Sequence, residues 1–255
     1  MDSNVVHHYG PQFHLVQNTY LQTLLTQLCI QETKQPLINH LVQQLYSGLV
    51  QTVAQKYFPI SEKTVTTRMG QPLTAATYDS STKAVTVNLA RAGTYPSHIC
   101  YEFLHWFLNP ENVRQDHIFA ARTTNTTQQV TGTEWGGFKI GGDVTNSVVL
   151  FPDPMGATGG TILSAIDYYQ KEIPGPAREY IALHLIVTPE YLKKVLAHPA
   201  KIKVFALRVD RGLSPDHVLK SPLGLYWDQE KGLNEKQYII PGAGGLGELL
   251  NNSFV

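Results

Sequence analysis

Apolar positions change their period along this chain, and the changes mark out its elements. Between Asn18 and Tyr57 the sequence is rich in Leu, Gln and Thr and poor in Gly and Pro. Leu21, Leu24, Leu25 and Leu28 fall at helical spacing, as do Leu41, Leu45 and Val50, which predicts two helices. From Thr64 onward short apolar runs replace that rhythm. "AVTVNLA" (84–90), "HIFAAR" (117–122), "VVLFPD" (148–153), "IALHLIV" (181–187) and "KVFALRVD" (203–210) read as strands. Helical stretches at Ser97–Leu108 and Thr161–Glu172 lie between them. Apolar strands alternating with helices predict an α/β fold, a mostly parallel central sheet flanked by helices on both faces. Ligands of such sheets bind beyond the carboxyl ends of the strands, so the chemistry is expected in the loops that follow them.

Composition narrows the classes. A chain of 255 residues suits one domain, 1–255, with a sizeable core. Its 20 Lys and Arg balance 20 Asp and Glu, so no basic field points to nucleic acid. The first residues, "MDSNVVHHYGPQ", lack a secretory pattern, and no apolar run has membrane length. The expectation is a cytoplasmic protein without membrane or nucleic-acid partners. Cys29 and Cys100 lie far apart and read as buried small hydrophobes in a reducing compartment. The histidines are scattered, with His98 and His105 seven apart on one expected helix, and form no metal-ligand pattern.

The stretch "VVLFPDPMGATGGTILSAIDYY" (148–169) concentrates the candidate chemistry. A buried strand ends at Asp153, a Gly–Thr turn follows, and Ile162, Ile166 and Tyr169 mark the buried face of the next helix. Such a strand–turn–helix aims backbone N–H groups and a helix N-terminus at one point, where an anion is stabilised. A plainer reading makes these ordinary turn glycines and Thr161 a helix N-cap. No lysine follows the glycines, so this is not a nucleotide P-loop. A second run, Gly242-x-Gly244-x-x-Gly247, matches the dinucleotide pattern, but only eight residues follow it, too few for the rest of that unit.

The order Asp-Pro-Met-x-Ala-Thr-Gly-Gly-Thr resembles the phosphate loop of phosphoribosyltransferases, specifically the uracil phosphoribosyltransferase family, whose loop reads much like "DPMLATGGT". "LARAG" (89–93) resembles the family's "LRAG" loop, and "FAAR" (119–122) the segment with a second arginine. "TTNTTQQVTGTEWGGFK" resembles a hairpin over the site, with Phe138 and Lys139 at its end. "GLNEKQYIIPGAG" (232–244) resembles the base-binding segment "GLNEKGYIVPGLG", and "HLVQNTYLQTLLTQL" (14–28) the family's opening. The resemblance implies an N-terminal helical segment (1–63), a core (64–210), a probable insertion (211–231) and a C-terminal base-binding hood (232–255).

It also implies the roles. Thr158, Gly159, Gly160 and Thr161, with Met155 and Ala157, would hold the 5-phosphate of phosphoribosyl pyrophosphate (PRPP), and Asp153 would face the ribose hydroxyls. Arg91 and Arg122 would meet pyrophosphate, making Arg91, Arg122 and Asp153 the catalytic set. Tyr238, Ile239, Gly244, Gly245 and Leu246 would present backbone to uracil. Mg2+ would be carried mainly by PRPP, with Glu248 a candidate ligand, and the enzyme would be a homodimer. The chain departs from "PGLGDAGDR", carrying Gly245 and Leu249 where an aspartate and an arginine are expected. It also carries Thr123–Thr124 where the family has an acidic pair, and Cys29 in place of an arginine. These departures leave two other readings open: a PRPP or nucleotide sensor or regulatory subunit, and transfer to a different base.

Overall fold

The structure, a computed structural model, describes residues 6–124 and 130–253; the side chains of 120–135 lie outside that description. Its elements in chain order are β1 (Phe13–Leu15), α1 (Thr19–Leu28), α2 (Leu37–Tyr57), β2 (Ile60–Thr66), β3 (Pro72–Tyr78), β4 (Ala84–Ala90), α3 (Thr94–Leu104), β5 (Val113–Thr124), β6 (Val130–Lys139), β7 (Val148–Pro152), β8 (Met155–Gly156), α4 (Gly160–Glu172), β9 (Glu179–Val187), α5 (Pro189–Leu196), β10 (Lys203–Val209), α6 (Asp216–Leu219) and α7 (Leu246–Leu249). The predicted strands pair in one eight-stranded sheet of order β1-β10-β9-β7-β4-β5-β6, with β8 alongside β9. Every pairing is parallel except β5–β6.

Alternation along β7 shows why its residues read as an unbroken apolar run. Val149 and Phe151 enter a core with Ile162, Ile166 and Tyr169 of α4 and Leu192 of α5. Val148 and Leu150 point to the opposite face, into a cluster with Ile99 and Cys100 of α3 and Leu45 and Leu49 of α2. Both faces are buried, so no polar side of the strand is tolerated. Asn18 caps α1 by accepting a hydrogen bond from the Leu21 N–H at 3.1 Å.

Three elements differ from the sequence expectation. The helix expected at Ser97–Leu108 spans Thr94–Leu104. Pro96 sits in its first turn, where the missing N–H has no helical partner anyway, so the helix begins before the proline rather than after it. Its end tightens into shorter-range bonds (His105 N–H to Glu102, Trp106 N–H to Phe103) ahead of Asn109–Pro110. The 1–63 segment, expected to be helical, also supplies β1, an edge strand parallel to β10. Finally, β2 and β3 form a separate two-stranded antiparallel ribbon, with no third strand among the described residues.

The 211–231 segment, read as an insertion, is tied down by a buried ion pair. Arg211 bonds Glu230, whose side chain is 0% exposed. The second Glu230 oxygen accepts from Tyr9 Oη at 2.6 Å, and the first also accepts from the Gly224 N–H at 2.9 Å. Arg211 donates further to the Leu219 and Ser221 carbonyls. Trp227 packs edge-on against Tyr9 and donates to the Pro189 carbonyl at 3.1 Å. Replacing Glu230 by Ala strands the Arg211 charge in the interior. Urea unfolding should show a loss of about 3–5 kcal/mol; a loss under about 1 kcal/mol would mean that solvent already reaches the pair.

Candidate functional site

The loops after β4, β7 and β10 meet at the carboxyl edge of the sheet. β7 ends at Pro152, and Asp153 follows, half-buried. One carboxylate oxygen of Asp153 accepts from the Met155 N–H at 3.2 Å, and the Asp153 N–H donates to the Leu183 carbonyl. β8 then pairs Met155 with Ile186 and Gly156 with Val187, which aims the following turn over the end of β9. Gly159, at φ +75°, occupies the left-handed region that glycine alone adopts freely. A Cβ there would also stand 2.8 Å from Val195 Cγ2 of α5. Gly159, not Thr161, is the N-cap of α4, and among the described residues no side chain caps that helix.

The result is a row of unused donors. Among the described residues, every backbone N–H from Thr158 to Ile162 lacks a protein acceptor. A cleft lined by Asp153, Met155, Ala157, Gly160, Thr161 and His184 opens in front of them. Unpaired N–H groups at a helix N-terminus, flanked by the Thr158 and Thr161 hydroxyls, form a cradle for a compact anion.

A buried pair absent from the sequence reading supports this turn from below. His184, 1% exposed, lies 2.5 Å from the Asp153 carbonyl through Nδ1 and 2.5 Å from Tyr191 Oη through Nε2. The carbonyl can only accept, so Nδ1 carries the proton and Nε2 accepts from the tyrosine. Burial lowers the His184 pKa to about 4, which keeps the ring neutral. Thr188 adds a second tie, donating to the Ala157 carbonyl at 2.7 Å and accepting from the Tyr191 N–H. The signal in the sequence was a lone histidine inside the apolar run "IALHLIV".

Arg91 follows β4, and its loop lies against the same edge. A Cβ on Gly93 would meet the Leu89 carbonyl at 2.8 Å and the Pro152 carbonyl at 3.0 Å, so this loop abuts the end of β7. Arg91 is half exposed and donates to Glu248 Oε1 at 2.9 Å and to the Ser253 carbonyl at 3.1 Å. A Cβ on Gly245 would stand 2.2 Å from the other Glu248 oxygen. The Glu248 carboxylate therefore occupies the space that a side chain at 245 would need.

The hood is suspended from β10. Asp210, buried at its end, accepts from Arg208 and from the Gly242 N–H at 2.7 Å, and Arg208 also donates to the Gly242 carbonyl at 3.1 Å. Ile239 and Leu246 are buried in the cluster that contains Ala157, with Met155 packed against it. Tyr238 is exposed. Among the described residues the N–H groups of Gly244 and Gly245 have no protein acceptor. Gln35 fastens the other end by donating to the Leu249 and Leu250 carbonyls.

The structure thus brings together Arg91, Asp153, Met155, Ala157, Thr158–Thr161, Ile239, Gly244, Gly245, Leu246 and Glu248. Lys139 stands apart: it pairs with His117, two residues short of the Phe119 level that matches Ala90. Phe138 stacks on Tyr168 of α4, with ring centroids 4.1 Å apart, and packs the ribbon's base. Arg122 pairs through its backbone with Thr133, and its side chain lies outside the described residues, as does most of the expected hairpin.

His184 beneath the site and His14 on the edge strand β1 make the fold acid-sensitive. Burial lowers both to about 4 from 6.5; for His14, Lys56 adds to the effect. The unfolded chain therefore takes up protons first as pH falls below 6.5. Stability is complete above that value, declines by roughly 1.4 kcal/mol per pH unit for each histidine, and levels off near pH 4. Melting curves between pH 7.5 and 4 should show this fall, and a His184→Gln variant should lose part of the slope. An unchanged slope would show that His184 does not titrate in this window.

Comparisons with known proteins bear on the family and the fold. The curated uracil phosphoribosyltransferase of Acinetobacter baylyi is 28% identical over 115 residues, 45% of this chain and 44% of that protein. The Dictyostelium discoideum enzyme of the same name is 32% identical over 112 residues, 44% of this chain and 42% of that protein. The aligned part thus spans less than half the length of these relatives. A solved structure, the AQ2163 protein from Aquifex aeolicus, superposes with a TM-score of 0.73 at 21% identity, covering 95% of this chain and 99% of that one, and shares the fold. A family profile described as uracil phosphoribosyltransferase matches residues 15–229, from the first strand through the Trp227 turn and short of the hood. On that match the chain belongs to the uracil phosphoribosyltransferase family.

Proposed function

We propose that the protein transfers the phosphoribosyl group of PRPP to uracil, giving UMP and pyrophosphate, as a cytoplasmic salvage enzyme. The observation that carries this reading is the row of unpaired N–H groups from Thr158 to Ile162, with Asp153 at its mouth. A phosphomonoester offers three oxygens to such a row and prefers the positive end of a helix. With the 5-phosphate seated there, Asp153 accepts from the ribose hydroxyls. Arg91, joined by Arg122, faces the departing pyrophosphate.

The reaction breaks the C1–oxygen bond to pyrophosphate, forms a bond from C1 to N1 of uracil, and releases the N1 proton. Negative charge grows on the leaving group, and preorganised guanidinium groups stabilise it. Uracil offers two carbonyls and an N–H on one edge, which suits the backbone around Ile239, Gly244 and Gly245. Cytosine would set an amino group against a donor there, at about 1–3 kcal/mol for each unpaired group. Among the described residues no three carboxylates, histidines or cysteines come together. The donor set fits Mg2+ brought mainly by PRPP oxygens, with Glu248 as a candidate carboxylate ligand. Bound in that way, the ion would supply positive charge toward the departing pyrophosphate beside Arg91.

One observation favours a second reading, a PRPP sensor or regulatory subunit. Arg91 is engaged by Glu248 and by the Ser253 carbonyl, so turnover requires it to exchange partners.

A turnover assay with PRPP, Mg2+ and labelled uracil, alongside cytosine and purine bases, separates these readings. Uracil-dependent UMP formation is expected, with kcat/KM falling at least about 10²-fold in Arg91→Ala. PRPP-dependent thermal stabilisation without product from any base would leave the sensor. Gly245→Asp must push the Glu248 carboxylate aside and free Arg91. A gain in turnover at unchanged PRPP affinity would identify the natural protein as the weakened form.

The homodimer has its support in the β2–β3 ribbon. Both strands are exposed along almost their whole length, with Ile60, Val65, Met69 and Leu73 apolar at the surface. A lone two-stranded ribbon is marginal in water, and a second copy would supply the missing cover. Val65 and Leu73 are cross-strand partners, so Val65→Lys with Leu73→Glu keeps the ribbon paired while removing its apolar surface. Light scattering should report a dimer that this double variant converts to monomer; a monomeric parent protein would overturn the dimer.

A further inference from the structure

The cradle carries one charge that its sequence motif does not contain. The last turn of α5 holds two adjacent lysines. Lys193 bonds the Asp228 carboxylate of the 211–231 segment. Lys194 reaches the other way. Its Nζ lies 3.9 Å from the point where a Cβ on Gly160 would stand, and Thr158 Oγ1 lies 3.9 Å from the same point. Lys194 is solvent-exposed, and among the described residues no carboxylate lies within ion-pair distance of it.

An ammonium in this place adds to the local positive charge of the resting protein. Gly160 opens α4, whose N-terminus carries about half a positive charge, so Lys194 is held against a like charge. An anion on the Thr158–Ile162 amides reverses that balance, since it attracts both. The side chain's starting point is well defined. Tyr191 and Val195, on the neighbouring face of the same helix, are buried against Gly159. Tyr191 stands three residues before Lys194 and is held by His184. The bland alternative is a solvated surface lysine, and Lys193 is a nearly matched control for it.

We infer that Lys194 is a ligand of the phosphate bound in this cradle, supplying from α5 the positive charge that the Thr158–Thr161 loop lacks. The inference rests on the phosphoribosyl reading of that loop. Lys194 contacts the outer oxygens of a sugar phosphomonoester as a point charge with three donors, while the amides hold the inner ones. It does not reach the pyrophosphate end, where Arg91 serves. Its contribution therefore falls on affinity for the sugar phosphate and on the salt dependence of that affinity.

Calorimetric titration of the full chain with ribose 5-phosphate and, separately, with pyrophosphate tests this. The proteins are the parent, Lys194→Met and Lys193→Met. Lys194→Met should weaken ribose 5-phosphate roughly tenfold, flatten its salt dependence and leave pyrophosphate unchanged. Lys193→Met should change neither, and melting temperatures should confirm that both variants are folded. If Lys194→Met keeps the parent affinity for ribose 5-phosphate, the assignment of Lys194 fails while the cradle stands. Equal weakening of both ligands, or of both lysine variants, would replace a local ligand by a general field and overturn it. A parent protein that binds no ribose 5-phosphate removes the cradle reading and this inference with it.

Discussion

The closeness of α5 to Gly159 is the constraint on which the site depends. Val195 leaves no room for a Cβ at that position, and the backbone there takes a left-handed turn. Because the turn is glycine, α4 can start without a side-chain cap, and its first N–H groups stay unpaired. Everything beneath serves to keep them so. His184 and Tyr191 hold the Asp153 carbonyl, and Thr188 holds that of Ala157. A helix start left without partners is normally a cost, and here it leaves the donors that the proposed reading assigns to a phosphate.

The other half of the site hangs from a different set of buried charges. Asp210 and Arg208 grip Gly242 from both its N–H and its carbonyl, and the N-terminal helices reach the far end through Gln35. The hood is thus positioned by groups remote from it in sequence. Among the described residues its own backbone donors at Gly244 and Gly245 have no protein acceptor. Arg91 joins the two halves, since it leaves β4 beside the cradle and ends on Glu248 of the hood.

That contact also gives the substitution at position 245 a physical meaning. The aspartate expected there is replaced by glycine, and the Glu248 carboxylate fills the vacated space. Glu248 stands where the motif has its second aspartate, so of two expected carboxylates one is lost and the other turns into the space left at 245. There it bonds Arg91.

Much of the framework was legible in the sequence because period and position sufficed. Each strand named from its apolar run, β4, β5, β7, β9 and β10, lies in the sheet, since a strand covered on both faces has no alternative to being apolar throughout. The Asp153–Thr161 loop was legible as well, because its glycines and threonines are consecutive. What escaped was set by contacts between distant segments. The β2–β3 ribbon carries little apolar pattern because it has no core face, and β1 is three residues long. His184 under Asp153, Glu248 in the place of a side chain at 245, and Lys194 beside Gly160 each join residues far apart in the chain or in different elements. Local sequence determined which segments form strands, turns and helices. Only tertiary packing decided which side chains would meet, because that depends on where the whole sheet delivers each loop.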